Sequence, residues 1–362
     1  MQVSDYTDLL RRMVAIPSLS FEEDKVRDLI SSQLREWGLE HRVMRNNIVA
    51  LQKCFDPSKK TLALDAHIDT VPANQEYSFD PHDAGNDPEV VRGLGSNDDG
   101  GSVVSMIATF RHFYDKELPF NLMLVLTCEE ERSGMNGARW LYGENGPFKD
   151  ASCDLPDPTW VIVGEPTKMK AATSERGLLV LDCEAHGVAG HAGRGEGVNA
   201  LYKAMDDIAL LRDHVFEKVS PVMGAVRMTV TQVNAGTVHN VVPDSCKFVV
   251  DIRPTEMYTN EEIVDELQTL IQSSITPRNL LNRSSASRPD SPLVSHLEEL
   301  GIETFSSPTT SDWMRIGCDA IKMGPGDSAR SHRKDEFVLT SEIADAIETY
   351  IRFIESYGNT LE

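Results

Sequence analysis

The sequence predicts an α/β fold: a mostly parallel central sheet flanked by helices, interrupted by a smaller inserted α+β domain of the split βαβ (ferredoxin-like) kind. Three observations point there. The apolar runs at residues 122–127 and 160–163 are continuous instead of alternating, as expected of strands buried on both faces of a parallel sheet. Helical patterns separate such runs, the order of an α/β domain whose site lies at the strand ends. After about residue 172 the texture changes to alternating strands and helices of a different module.

The elements follow in order. Ser20-Phe21-Glu22-Glu23 reads as a capping box, the serine oxygen accepting from the N3 amide while Glu23 reaches back. The helix it opens carries Val26, Ile30, Leu34 and Trp37 at helical spacing and stops at Gly38. Residues 47–52 and 62–68 read as strands, and 102–114 as a helix. Within the insert, 178–185, 226–233 and 247–252 read as strands, and 198–211 and 260–275 as helices. The polar stretch 283–288 reads as the return linker. A final α/β section ends in a helix over 341–355. The expected division is a discontinuous α/β domain, 1–172 with 289–362, around an insert at 173–288.

At 362 residues the chain exceeds the usual size of one hydrophobic core, in line with two domains. Its 57 acidic against 35 basic residues give a formal charge of −22. That balance argues against a binder of nucleic-acid phosphates, which needs a basic stripe. No stretch approaches the 18 or so consecutive apolar residues of a membrane span, and Met1-Gln2-Val3-Ser4-Asp5 lacks the basic and apolar regions of a signal peptide. The six cysteines (54, 128, 153, 183, 246, 318) contain no Cys-x-x-Cys pair. They read as reduced thiols of a cytoplasmic protein.

Five short signatures carry side chains that suit metal. His67 lies in Leu64-Asp65-Ala66-His67-Ile68-Asp69, at the end of an apolar strand. Two residues apart on a strand, His67 and Asp69 share a face, and a carboxylate beside an imidazole fits the role of orienting a ligating histidine. Asp98 follows the Gly-rich turn at 93–95 and precedes a helix, where a carboxylate has room to bridge two ions. Glu129-Glu130-Glu131 directly follows a buried strand. Three such acids repel unless cations compensate or one is neutral. Neighbouring glutamates also divide labour naturally, one as ligand and one as proton acceptor; spacing does not assign the roles. Glu165 lies between Gly164 and Pro166 after another buried strand, and His332 stands between arginines 330 and 333 with one residue intervening on the first side. Two imidazoles and three carboxylates suit a pair of Zn²⁺-like ions.

In their order along one chain, these motifs resemble the acetylornithine deacetylase and succinyl-diaminopimelate desuccinylase family of zinc aminoacylase/carboxypeptidase-type metallohydrolases. The resemblance covers nearly the whole length. It implies a dimetal catalytic domain and an inserted lid through which the subunit forms a homodimer. It further implies two divalent ions, Zn²⁺ foremost with Co²⁺ as a substitute. His67 and Glu165 would hold one, Glu131 and His332 the other, and Asp98 would bridge. Asp69 would orient His67, and Glu130 would be the general base.

In the lid, Gly190-His191-Ala192-Gly193 matches the motif whose histidine stabilises the oxyanion across the dimer interface. Asn240-Val241-Val242-Pro243 and Asp251-Ile252-Arg253-Pro254 match substrate-contacting segments, with Arg253 on a substrate carboxylate. Gly324 and Gly326 would line the pocket. The turn Asp98-Asp99-Gly100 departs from the common Asp-x-Lys, and Glu129 stands where aspartate is usual; His239 has no assigned role.

The reaction implied is hydrolysis of an N-acyl amino acid, N-acetyl- or N-succinyl-ornithine or citrulline, in arginine biosynthesis. Succinyl-diaminopimelate desuccinylase and a metallodipeptidase are the enzymatic rivals. Arg176, Arg194 and Arg330 are the candidates to meet a distal succinyl carboxylate. A metal-binding dimeric scaffold without catalysis is the reading of another class, and retention of all five ligands with Glu130 weighs against it.

Overall fold

The computed structural model describes residues 2–360 and divides into two compact units. The first comprises 1–173, 287–305 and 311–362 within those bounds. Its central sheet runs Arg42–Met44, Asn47–Leu51, Asn121–Thr127, Thr61–His67, Trp160–Val163, Asp319–Lys322 and Ala171–Glu175 in spatial order. The four middle strands are parallel, and antiparallel strands close both sides. Along the middle strands, alternate residues face two separate buried clusters. Leu62, Leu64, Leu122, Leu124 and Ile162 belong to one, packed against the helices Gly101–Phe113 and Thr340–Thr360. Ala63, Met123, Val125 and Val161 belong to the other. Both faces being covered, every residue of Asn121–Thr127 is buried, which is why that run shows no polar alternation.

The second unit, Ser174–Ala286 with Ser306–Thr310, is organised as β-α-β-β-α-β plus short pieces. Its antiparallel sheet has the order Arg227–Ala235, Ser245–Arg253, Leu179–His186, Ser274–Pro277. Leu179, Leu181, Cys183 and Ala185 point inward and alternate with outward residues, giving a half-buried pattern with a period of two. The helices Ala200–Asp213 and Asn260–Leu270 supply Ala200, Ala204, Ile263 and Leu267 to the same core. Nothing in the sequence sets Ser306–Thr310 apart from the final α/β section.

Two expected elements are corrected. The helix expected over 260–275 ends at Leu270, because the Asp207 carboxylate captures the amides of Gln272 and Ser273 (3.1 and 2.8 Å). The chain is thereby released into the strand Ser274–Pro277. A capping box does open this helix, between Thr259 and Glu262. The box read at Ser20–Glu23 is absent: the helix Asp24–Glu36 has no side-chain cap, and both residues hydrogen-bond elsewhere.

Candidate metal centre

The five candidate ligands converge at the C-terminal edge of the parallel strands, where α/β sheets place their sites. His67 is the last residue of Thr61–His67, the acid triplet follows Asn121–Thr127, and Glu165 follows Trp160–Val163. Asp98 enters from the Ser96–Gly100 turn and His332 from the loop after Ser328–Arg330.

Asp98 sits between the two histidines: its Oδ1 lies 3.1 Å from His67 Nε2 and its Oδ2 3.6 Å from His332 Nε2. Glu131 Oε1 is 3.0 Å from His332 Nε2. The donor atoms form groups within 4.8 Å of one another: His67, Asp98 and Glu165 in one, Asp98, Glu131 and His332 in a second, and His67 with Glu130 and Glu131 in a third. Asp98 is common to the first two groups. Imidazole nitrogens and carboxylate oxygens gathered this closely match the donor chemistry of a divalent-ion site.

The electrostatics point the same way. Burial raises the Glu130 and Glu165 carboxyls well above the ordinary range, reinforced for Glu130 by Asp312, Glu165 and Glu131 and for Glu165 by Asp98. Burial also raises Glu131, while its hydrogen bond with His332 opposes the rise. On His67 burial acts downward, but hydrogen bonds to Asp69 and Asp98 outweigh it and carry the imidazole well above its usual value. Asp98 alone is lowered: burial works against this, and His67 overcomes it. Crowded acids that hold protons to relieve mutual repulsion are groups that a cation would discharge.

The adjacent glutamates are not equivalent. Glu129 adopts a left-handed backbone (φ 62°) and turns its buried carboxylate to Asn136, accepting from that residue's backbone N and Nδ2 at 2.9 and 2.6 Å. Glu131 faces His332. The Glu130 carboxylate has no hydrogen bond among the described residues.

Several predicted residues make contacts that the sequence does not reveal. His67 Nδ1 lies 3.0 Å from the main-chain carbonyl of Asp69 and 3.4 Å from its carboxylate. The Asp69 carboxylate also spans the acid turn, accepting the Glu130 amide on Oδ1 (3.0 Å) and the Glu131 amide on Oδ2 (3.1 Å). Gly324 and Gly326 are packed positions. A Cβ on Gly324 would lie 2.6 Å from the Glu165 carbonyl oxygen, and one on Gly326, at φ 81°, 2.3 Å from Asn97 Oδ1. They let the chain press against the segments that carry ligands.

In the second unit, Gly190–His191 pairs with Val241–Val242, so the two motifs are neighbours. The Ala192 amide donates to the Asn240 carbonyl at 3.0 Å. The Gly193 amide donates to His191 Nδ1 (3.2 Å). That fixes the neutral ring as the tautomer with its proton on Nε2. Arg253 is held by Asp251 through Nε and Nη2 (2.8 and 3.1 Å). Arg176 is spent on main-chain carbonyls of Met223, Ala225 and Arg253. Arg330, in the first unit, is paired with Glu342. Arg194 is exposed.

Two functional neighbours carried no sequence signal. Buried Glu336 accepts the Asn97 and Asp98 amides on Oε1. Buried Asp312 accepts from Thr127 Oγ1 at 2.6 Å and adds negative charge near Glu130.

Imidazoles and carboxylates at the edge of a doubly covered parallel sheet define the class as a metal-dependent hydrolase. The chain belongs to peptidase family M20/M25/M40, whose family model matches residues 63–356. It is similar to an acetylornithine deacetylase of Proteus mirabilis, 24% identical over 97% of this chain and 96% of the relative. Its fold is shared with the aminopeptidase PepT of Bacillus cereus (TM-score 0.77, 15% identity, 99% of each chain). It is also shared with the Bacillus subtilis protein YXEP, described as a dinuclear metal binding peptidase (TM-score 0.71, 16% identity, 98% of each chain). Among the described residues no helix is long and apolar enough to cross a membrane.

Proposed function

We propose that this metallohydrolase removes the acyl group from an N-acyl amino acid, most specifically N-acetyl- or N-succinyl-ornithine or citrulline. The observation that carries the hydrolytic reading is Asp98, one carboxylate shared between a His67 group and a His332 group. The acetylornithine deacetylase relatives, matched over nearly the whole chain, favour the substrate.

In this reading His67 and Glu165 would hold one divalent ion and Glu131 and His332 the other, with Asp98 between them; Zn²⁺ would fit, with Co²⁺ as a substitute. Such ions, when bound, acidify a water and polarise the scissile carbonyl. Glu130, whose carboxylate is free of hydrogen bonds, takes the proton of the attacking water and passes it to the leaving nitrogen. The Asp69 clamp on the Glu130 and Glu131 amides keeps base and ligand in fixed relation. His191, reaching across the proposed dimer interface with its neutral ring protonated on Nε2, would donate to the developing oxyanion. Arg253 presents the edge left by Asp251 to the substrate carboxylate, as a bidentate pair requires. Asn240 contributes through its carbonyl, which accepts the Ala192 amide beside His191.

A homodimer through the second unit is part of the proposal. Tyr202, Met205 and Val233 are large apolar residues left 65, 56 and 47% exposed there, and Arg227–Ala235 is an edge strand paired on one side, a surface that single chains usually cover. Six free cysteines support a cytoplasmic setting.

The test is amine release from N-acetyl- and N-succinyl-ornithine, both citrulline analogues, N-succinyl-diaminopimelate and several dipeptides, with Zn²⁺ or Co²⁺ and with chelator. Chelator-sensitive turnover of an ornithine or citrulline derivative is expected. Cleavage of dipeptides alone would replace the deacylase reading. Glu130→Gln should keep its metal and lose at least about a hundredfold in kcat, the scale of a lost general base.

A further inference from the structure

The Ser20–Glu23 motif does not cap its helix, and its hydrogen bonds run to the acid turn instead. The preceding Ser18 docks on the end of the His67 strand: its Oγ donates to the Ile68 carbonyl at 2.8 Å, and its carbonyl accepts the Thr70 amide at 2.8 Å. Leu19 forms a parallel bridge with Thr70. Ser20 Oγ then donates to Asp69 Oδ2 at 2.7 Å, the same oxygen that accepts the Glu131 amide. Phe21 turns through a left-handed backbone (φ 77°). Glu23 follows, fully buried. Its Oε1 accepts the Phe21 amide (2.8 Å) and, across the chain, the Glu129 amide (3.1 Å), while its Oε2 accepts Asn46 Nδ2 (2.9 Å).

Three consecutive amides, of Glu129, Glu130 and Glu131, thus end on two buried carboxylates. Both carboxylates are set by this one segment. A left-handed glutamate after a buried strand is an uncommon backbone for a residue of its kind and persists only where its surroundings over-determine it. Hydrogen bonds to ionised carboxylates are the stronger sort, and removing one partner from a buried set costs more than an exposed bond would.

We propose that Ser18–Glu23 is a positioning strap for the acid turn, with Ser20 and Glu23 its positioning residues: Ser20 acts on Glu131 through Asp69, and Glu23 acts on Glu129 directly. The strap sets the direction in which Glu130 and Glu131 leave the sheet, so it governs both metal affinity and turnover. The inference rests on the metallohydrolase reading above.

The test uses the full chain, with Zn²⁺ affinity measured against a chromophoric chelator. It is paired with kcat and KM at saturating metal on whichever acyl amino acid the parent cleaves, and with the melting temperature. Ser20→Ala should weaken Zn²⁺ binding about tenfold and lower kcat about tenfold, with KM within about twofold and melting within a few degrees; the loss matches one charge-assisted hydrogen bond. Ser20→Thr, which keeps the hydroxyl, should restore both. Glu23→Gln sets an amide against Asn46 Nδ2 and should show the same loss, and adding Asn46→Asp should recover it by supplying an acceptor. Zn²⁺ affinity and kcat of Ser20→Ala both within twofold of the parent would overturn the proposal. So would a loss that Ser20→Thr fails to restore, or one in which KM and melting deteriorate together with kcat. A parent that binds no metal would overturn the hydrolase reading with it, whereas a metal-binding parent whose variants all match it in Zn²⁺ affinity and kcat would overturn the strap alone.

Discussion

Glu336 and Asp98 are 238 residues apart, yet the Glu336 carboxylate accepts the Asp98 main-chain amide at 3.0 Å, with the Asn97 amide on the same oxygen at 2.9 Å. Glu336 lies four residues beyond His332. The loop that carries the candidate ligand His332 therefore also fixes the backbone of Asp98, the residue common to two of the donor groups. One carboxylate oxygen does this work, so an amide oxygen of the same shape can replace it. Glu336→Gln should keep metal binding within a few fold of the parent. Glu336→Ala leaves two buried amides without an acceptor, a cost of ~1–3 kcal/mol for each, and should weaken metal binding at least about tenfold. Metal titration of the two variants checks this; an equal loss in both would show that Glu336 acts by charge alone, and no loss in either that its hydrogen bonds are dispensable.

The backbone around the acid turn tolerates no added atom at Gly137. A Cβ there would lie 1.8 Å from the Cys128 carbonyl oxygen, a main-chain atom with no freedom to withdraw. Gly137→Ala should cost ~2–4 kcal/mol, in the range of severe core overpacking. Gly38 is the contrast: its φ of 73° strains any side chain, but nothing lies within 4 Å of the added atom. Gly38→Ala should cost about 1 kcal/mol. Denaturant unfolding of both variants measures the difference.

The cysteines divide by depth. Cys54 is exposed, whereas burial pushes the Cys183 and Cys318 thiols up to about 12. The thiolate is the reactive form, and near pH 8 such groups hold on the order of one part in ten thousand of it. A disulfide reagent should therefore modify Cys54 within minutes and leave Cys183 untouched until the chain unfolds. Peptide mapping after timed labelling reads the order directly.

Much of this candidate site was legible because each candidate ligand sits where chain direction and composition leave a trace: the end of an apolar run for His67, Glu131 and Glu165, a Gly-rich turn for Asp98. The parallel sheet was legible for the same reason, since runs such as 122–127 have no solvent face to mark with polar residues. What escaped was the set of carboxylates that hold backbone amides. Glu23, Asp69 and Glu336 are acceptors whose donors lie elsewhere in the fold, and nothing local distinguishes such an acid from a capping or solvated one. Ser20–Glu23 matches a capping box in residue type, but burial of Glu23 against the Glu129 amide outweighs the local bond. For Gly324 and Gly326, expected at a pocket wall, the sequence carries no sign of the close packing on Glu165 and Asn97.

The buried acids also set how stability responds to pH. Burial holds Asp312 at about 6 and Asp99 at about 8, and burial together with the Asp98 charge holds Glu336 at about 8. Unfolded, these groups titrate near ~4. From about pH 4 to about pH 8 the native chain therefore keeps protons that the unfolded chain has released, and stability falls as pH rises. His332, raised to about 9 chiefly by its hydrogen bond with Glu131, acts in the same direction: its contribution is complete below ~6.5 and lost on passing about 9. Asp98 is lowered, so its contribution is lost only in acid below this window. The metal-free chain should thus melt at steadily lower temperature from about pH 5 to about pH 9. Divalent ions compete with these protons, bind better as they leave, and stabilise the native state by mass action. With saturating Zn²⁺ or Co²⁺ the decline should flatten or reverse. Calorimetric melting with chelator and with metal across that range gives both curves. A chelated chain that gained stability with rising pH would show that the carboxylates are already ionised in the native state, and that the electrostatic demand for cations is absent.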